Sequence, residues 1–401
     1  MDWRYKILSI QEPECIVYLD SYTKAGDGIV DAYVDFRQSR DVALFRQVFD
    51  LPDNAGTYIE LRALRSSKRL MRGCFYKLNL ILLKNYFFSR VEDSLLIGGR
   101  FDLSKMDIPE DDDTELLQQH EPLDPEELIH RNVPRESPIL VSNTDDMQLF
   151  VKDVNQANWN ELRFGNRVLV LYDAGARLNA SLDEVKSIFN SRKDDLEASK
   201  PMLVISHWDV DHIHCLKLLS KNDIPNYFSK LICVGRMKTV TASGIYDKFI
   251  SALGKGKVYC LSPAARTNGI DMHLWKNMGC LSIYLGEQSR NINYCGIAMF
   301  VKGKRKSANF TGDCRLTQAK SVYDQERTSG LDTNEHVLVA PHHGGDYGAA
   351  YRHYSLPCKD IVISVGGNNS YGHPQNDMLR YLCRLGSVHM TKDVGDYDMR
   401  L

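Results

Sequence analysis

The sequence predicts an α/β protein: two packed β-sheets with helices outside over residues 138–401, and a small α+β domain over residues 1–106. Three observations carry that reading. Downstream of residue 138, short apolar runs, several rich in β-branched residues, alternate with turn residues or helical segments, and two sheets with outer helices would bury them. At 401 residues the chain exceeds the usual size of one domain. Between Asp107 and Pro138 five prolines and eleven acidic residues stand against two basic ones, so residues 107–137 are assigned as a linker.

In the first domain "CIVYLD" (15–20) and "GIVDAYVDF" (28–36) read as strands and "DVALFRQVFDL" (41–51) as a helix. Arg62, Arg65, Lys68, Arg69 and Arg72 recur at three- and four-residue steps, which predicts a basic helical face. A solvated face is the plain reading and a phosphate-contacting patch the sharper one. No chemical motif stands in this domain, and its role is unknown. In the linker, Asp124-Pro125-Glu126-Glu127 has the order of an N-cap, an N1 proline and a first-turn carboxylate, which predicts a short helix. The acidic stretch is read as solvated, with occlusion of a nucleic-acid site as the alternative.

Further on, strands are expected at "QLFVKDV" (148–154), "NRVLVLYDAG" (166–175), "PMLVISH" (201–207), "KLICVG" (230–235) and "KVYCLS" (257–262). More are expected at "LSIYLG" (281–286), "GIAMFVKG" (296–303), "SANFTGD" (307–313), "HVLVAPHHG" (336–344) and "DIVISVGG" (360–367). Helices are expected at "SLDEVKSIFNSRKDDLE" (181–197) and "NDMLRYLCRLG" (376–386). No repeat of fixed period is visible.

Composition excludes little. Net charge is −2, so nucleic-acid contact would have to be local. No stretch reaches eighteen apolar residues and "MDWRYKILSI" lacks a signal-peptide core, so no membrane association and a cytoplasmic location are expected. The ten cysteines form no CxxC pair and are expected as buried free thiols.

Polar clusters recur where the later strands end. Asp173 follows "VLVLY"; His207, Asp209, Asp211 and His212 follow "MLVIS"; Asp313 follows "ANFTG"; His342 and His343 follow "VLVAP"; His373 follows "IVIS" at a distance. Strand ends far apart in sequence can converge on one site. Histidines and carboxylates at this density point to a cation, because uncompensated charges packed together are costly and imidazole is a common metal ligand. The H-x-D-x-D-H spacing accommodates two ions.

The segments "YDAG" (172–175), "SHWDVDH" (206–212), "TGD" (311–313), "PHHGG" (341–345) and "SVGGNNSYGHP" (364–374) resemble the metallo-β-lactamase fold, and most of all the hydrolase-domain branch attached to the ComEC DNA-uptake channel. That branch has HxDxDH, HHGS and a terminal YGHP. "DVNQANWNELRF" (153–164) is similar to its DVGQGD segment, and "MTKDVGDYDM" (390–399) to its closing strand pair. The resemblance covers residues 138–401 and implies a four-layer αββα sandwich with a dinuclear site on one edge. By that resemblance His207 and Asp209 would hold one ion, Asp211 and His212 the other, and Asp313 would bridge. One of His342 and His343 would complete the second ion's shell and the other face substrate, an order the sequence leaves open; His342 is taken as ligand and His343 as catalytic together with Asp211, Asp313 and His373. Asp173, Asn293 and Tyr371 would lie in the second shell or near substrate. The chain departs from the pattern at Asn155, Ala157 and Gly345, where the branch has Gly, Gly and Ser, and at His214 and Cys215 after "DHI"; His214 is read as a surface residue, with an extra metal ligand as the alternative.

Two divalent ions, Mn²⁺ or Zn²⁺, are therefore expected, with the carboxylate content favouring a test of manganese first. Such a pair can share a hydroxide and clamp an in-line displacement at phosphorus. DNA or another phosphodiester is the expected substrate, cleaved by a metal-dependent nuclease. "KGKRK" (302–306) is read as a solvated turn that could alternatively track a nucleic-acid backbone near Asp313. The alternatives are a small-molecule phosphodiesterase, with Trp159, Trp208 and Tyr371 available for a pocket, and a subunit of a larger assembly, such as a bacterial defence system, that docks a protein partner through residues 1–106.

Overall fold

Two units with separate cores build the chain, one from residues Met1–Glu127 and Met237–Gly244, the other from Leu128–Arg236 and Ile245–Leu401. The computed structural model describes residues 14–26, 29–51, 58–65, 70, 73–88, 100–101, 117–119, 146–265, 272–289, 291–331, 335–345, 356–367, 369 and 372–401.

In the first unit, alternating apolar residues form a six-stranded sheet. β1 (Glu14–Gly26) pairs antiparallel with β2 (Ile29–Phe36), Val17 opposite Phe36, and with β4 (Phe75–Asn79). β3 (Tyr58–Arg65) flanks β2, and β5 (Arg100–Phe101) and β6 (Leu117–Gln119) are the edges. Helix α1 (Ser39–Phe49) packs Phe45 against Phe36 with ring centroids 5.1 Å apart, and α2 (Leu80–Phe88) follows β4 directly. Arg62 and Arg65 lie in β3, so the expected basic helical face does not form. Ile59 and Leu61 are buried at period two, and pairing with β2 outweighs the spacing of the charges. Lys68, Arg69 and Arg72 lie outside the described residues. Within the stretch expected as linker, β6 pairs with β4, while residues 124–127 lie outside the described residues.

The second unit holds two seven-stranded sheets. The first contains β7 (Met147–Val151), β8 (Asn160–Phe164), β9 (Arg167–Tyr172), β10 (Met202–Ile205), β11 (Lys230–Val234) and β12 (Val258–Leu261). The second contains β13 (Met272–Asn277), β14 (Leu281–Gly286), β15 (Ile297–Lys302), β16 (Lys306–Phe310), β17 (Glu335–Val339), β18 (Cys358–Ile363) and β19 (Ser387–Met390). β20 (Tyr397–Arg400) then returns to pair with β7. The spatial orders are β20-β7-β8-β9-β10-β11-β12 and β13-β14-β15-β16-β17-β18-β19. In both, the first four strands are antiparallel and the fourth to seventh parallel. The pairing order repeats although the sequence does not.

Helices cover the parallel crossovers. α3 (Leu182–Ser199), α4 (Val210–Ile213), α5 (Ile224–Tyr227) and α6 (Val240–Leu253) serve the first sheet; α7 (Leu316–Thr328), α8 (Asn376–Leu385) and α9 (Thr391–Val394) serve the second. α3 opens on Ser181, whose Oγ accepts from the Glu184 amide at 3.2 Å. With helices outside paired sheets, this is the αββα layering expected from the motifs. "MTKDVGDYDM" does not form one strand pair, since β19 joins the second sheet and β20 the first.

Strand β8 escaped the sequence reading because it carries Glu161 and Arg163. Glu161 is fully buried, yet it accepts from Trp159 Nε1 at 2.9 Å, Arg163 Nε at 2.7 Å and Arg192 Nε and Nη2 at 2.9 Å each. Burial alone would raise its carboxyl, but the Arg192 bonds and the two guanidinium charges outweigh burial and hold it below the usual range. Eight of the ten cysteines are buried free thiols; Cys74 is half-buried and Cys383 exposed. Among the described residues no helix is long and apolar enough to cross a membrane.

The sheets are pinned to each other at Ile297. Its amide donates to the Ser206 carbonyl at 2.9 Å, and its carbonyl accepts from the Tyr172 hydroxyl at 2.6 Å. Ser364 Oγ adds a second tie to the Ala157 carbonyl at 2.6 Å.

His336 of β17 is buried beside Phe300, with ring planes 11° apart, and its Nδ1 lies 2.9 Å from Ser307 Oγ. Burial pushes its imidazole from 6.5 down to about 3. The unfolded chain then binds a proton that the folded chain refuses, so this contribution to stability is complete above about pH 6.5 and drains away as pH falls towards 3. Urea unfolding between about pH 5 and about pH 7 should show a shallower loss of stability with acid for His336→Gln than for the native chain. Equal slopes would refute this assignment.

Candidate metal centre

The site forms where the fourth and fifth strands of both sheets end. After β9, Asp173 adopts φ +61°, a left-handed conformation uncommon outside glycine. Its Oδ1 accepts from the Ser206 amide at 2.7 Å; its Oδ2 accepts from Ser206 Oγ at 2.8 Å and lies 2.7 Å from His212 Nδ1. Gly175 lets this loop lie flat on the next one, since a Cβ there would sit 1.7 Å from the Asp211 carbonyl oxygen. Ser206 Oγ is also 3.0 Å from His207 Nδ1.

Three imidazoles are thereby locked at Nδ1, His207 by Ser206, His212 by Asp173, and His343 by the Ser364 carbonyl at 2.7 Å. Their Nε2 atoms are buried and make no hydrogen bond, as is Asp313 Oδ1. Proton on Nδ1 and lone pair at Nε2 is the tautomer a metal-binding histidine needs.

The Asp313 carboxylate divides these atoms into two sides. Oδ2 lies 3.9 Å from His207 Nε2 and 3.6 Å from His342 Nε2, and Asp209 Oδ2 is 3.4 Å from His207 Nε2. Oδ1 lies 3.2 Å from His212 Nε2 and 4.0 Å from His343 Nε2; Asp211 stands 3.8 Å from His212 and 3.3 Å from His343. The atoms of His207, His212 and Asp313, and those of Asp211, His212 and His343, fall within 4.8 Å of one another and could each hold a metal ion. Orphaned nitrogens and a carboxylate with one oxygen on each side fit a pair of divalent cations, and the oxygen content suits Mn²⁺ as well as Zn²⁺.

Consecutive residues His342 and His343 reach opposite sides because both are left-handed, with φ +50° and +54°. His343, buried, joins Asp211 and His212, whereas His342 turns toward Asp313 Oδ2 and the ring of His373, 5.3 Å away. His343, expected as catalytic, thus stands among the donors Asp211 and His212, while His342, expected as ligand, faces Asp313 Oδ2. Charge balance is tight. Burial would raise Asp211, but His212 and His343 hold it at about 2; burial would lower His212, but Asp313, Asp173 and Asp211 hold it well above the usual imidazole range.

Several solved structures are similar to this chain. They include Tm1679, a metal-dependent hydrolase of the β-lactamase superfamily (13% identity, 64% of this chain and 99% of that chain, TM-score 0.37). Human tRNase Z, short form, is similar at 10% identity over 61% of this chain and 92% of that one, with a TM-score of 0.34. CmlA, a diiron β-hydroxylase from Streptomyces venezuelae, is similar at 11% identity over 64% and 54%, with a TM-score of 0.35. No family model and no curated protein matches the sequence. These likenesses are faint, and the chemistry of the centre follows from its own atoms.

Of the other expected residues, Asn293 Nδ2 donates toward Asp313 Oδ2 at 3.4 Å, and His373 is buried beside His342 with its backbone tied to Asn369 at 2.8 Å. Tyr371 lies outside the described residues. Gly345 has a steric reason: a Cβ would come within 2.7 Å of His373 Cε1, so a serine there would displace that ring. Asn155 occupies a left-handed position, φ +60°, that asparagine tolerates in place of glycine. His214 is half-buried rather than a surface residue; its Nδ1 lies 3.1 Å from the Arg177 carbonyl, and burial pushes it down to about 4.

Trp159 and Trp208 are core residues, bonded to Glu161 and to the Val234 carbonyl. The "KGKRK" turn is at the start of β16, a strand's length of about 16 Å from Asp313 at its far end. Lys302 pairs with Glu326 at 2.7 Å and Lys306 with Asp360 at 3.1 Å, so neither can track a backbone there. Ser206 and Ser364 were missed, although Ser206 directly precedes the first histidine.

Replacing Asp173 with Asn removes the acceptor that fixes His212. Asp173→Asn should lower Mn²⁺ affinity about 10- to 100-fold by calorimetric titration while the chain stays folded. Undiminished affinity would show that Asp173 does not orient the ring.

Proposed function

We propose that the protein is a metal-dependent phosphodiesterase acting on DNA, a nuclease. The observation that carries this reading is the Asp313 carboxylate, with one oxygen toward His207 and His342 and the other toward His212 and His343. That two-sided arrangement suits the symmetric clamp used for in-line displacement at phosphorus. The HWDVDH segment, in which Asp209 stands where most metallo-β-lactamase-fold sequences have histidine, supports DNA as substrate through its resemblance to the ComEC branch.

A bound cation pair supplies Lewis-acid activation of water and neutralises charge growing on the phosphoryl oxygens. The chain's own groups do the rest. His207, Asp209 and Asp313 Oδ2 would hold one cation, and Asp211, His212, His343 and Asp313 Oδ1 the other. Asp173, Ser206 and Ser364 keep the imidazoles aimed, so that little reorganisation accompanies the reaction. His373, set against His342 on the outer side of the centre, would give a proton to the leaving oxygen.

End-labelled single- and double-stranded DNA should be cut with Mn²⁺ and left intact with EDTA, and the Asp211→Ala, Asp313→Ala double variant should lose at least about 1,000-fold in rate. Intact DNA under all metals tried, in a protein shown to bind metal, would sink the nuclease reading.

A further inference from the structure

Arg236 is an anomaly among the cations of the second unit. It follows β11 at the same sheet edge as the HWDVDH loop and is only 6% exposed. Its Nη1 donates to the Ser289 carbonyl and lies 3.1 Å from Cys295 Sγ. Among the described residues no carboxylate lies within ion-pairing distance of it. Arg192, Lys302 and Lys306, also largely sequestered, each face an acid. Withdrawing a cation from water without a counter-charge is costly, and such a group is kept where an anion arrives to complete it.

A second arginine, between β16 and α7, is anchored on the connection between β14 and β15 that also holds Cys295. Arg315, exposed and two residues beyond Asp313, lays its guanidinium 3.9 Å from the centre of the Tyr294 ring. Stacking fixes its direction without consuming its charge, and no carboxylate among the described residues pairs with it either. Tyr294 is itself held, its carbonyl accepting from Gln318 Nε2 at 2.8 Å. The residue preceding these anchor points, Tyr294 and Cys295, is Asn293, whose amide reaches Asp313. Two anchored cations beside one carboxylate-lined centre suit a ligand with more than one phosphate.

We propose that Arg236 and Arg315 form the phosphate-binding rim of the centre and that they hold successive phosphates of a polynucleotide strand. This rests on the phosphodiester reading above and deepens it. Planar guanidinium forks match phosphate oxygens, and each contact releases counterions from the strand.

Binding can be read apart from chemistry. Fluorescence anisotropy of a labelled single strand of about 20 nucleotides, titrated with the full chain in EDTA, gives the affinity and its salt dependence. Arg315→Ala and Arg236→Gln should each weaken binding and each reduce the slope of log Kd against log salt by about 0.7. Arg236→Lys, which restores the charge, should recover the slope. If Arg236 only clamps the loop, Arg236→Gln will lower the melting temperature and leave affinity and slope native; that result overturns the proposal, as would equal native affinity for a dinucleotide and the longer strand. Because no metal is present, a negative binding result leaves the cleavage reading standing, and failure to cleave leaves the rim standing.

Discussion

The geometry of the second unit depends on how one residue of β15 is held by the other sheet. Ile297 gives its amide to Ser206 and takes the Tyr172 hydroxyl at its carbonyl, so both of its backbone groups are spent on bonds between sheets rather than along one. Sheets that meet only through apolar side chains have latitude to slide; two directional bonds at one residue remove it. The tie lies just before the loops that carry Asp173, His207 and Asp313. Ser206 is at once the partner of Ile297 through its carbonyl and of Asp173 and His207 through its amide and hydroxyl, so the alignment of the sheets and the aim of the imidazoles are set by the same residue.

The repeated strand order explains why the polar residues converge. The fourth strand of each sheet is followed by an aspartate, Asp173 in one and Asp313 in the other, and the fifth by histidines. Equivalent positions have taken different work. Asp173 is spent on hydrogen bonds that orient Ser206 and His212, whereas Asp313 keeps an oxygen without a hydrogen bond and faces four imidazoles. Left-handed backbone at Asp173, His342 and His343 costs roughly 1–2 kcal/mol per residue, and it is concentrated at this edge, where it buys direction for the side chains.

Much of this was legible in the sequence because strand cores are apolar and the centre is not. Runs such as "VLVLY" and "MLVIS" announce buried strands, and aspartates and histidines directly after them stand out. Legibility failed where a charge is internally satisfied. β8 carries Glu161 and Arg163 inside a buried network, and β13 is an edge strand with alternating exposure. It failed again where identity does not determine conformation: nothing in "PHHGG" tells which histidine turns inward, because the answer lies in two positive φ angles. The arginine series from Arg62 looked helical only because charge spacing was weighed without the apolar alternation of Ile59 and Leu61. Arg236 and Arg315 carry no motif and become visible only by what surrounds them.

The split of the centre between two sheets has a bearing on biosynthesis. About a hundred residues separate His212 from Asp313, and some thirty more precede His343, so the ribosome releases the donors in two widely spaced instalments. A chain caught halfway exposes His207 to His212 without the aspartate that joins the two sides. Neither half owns a complete set of donors. The donor groups on both sides of Asp313 are therefore completed only at the end of folding, after β17 has docked.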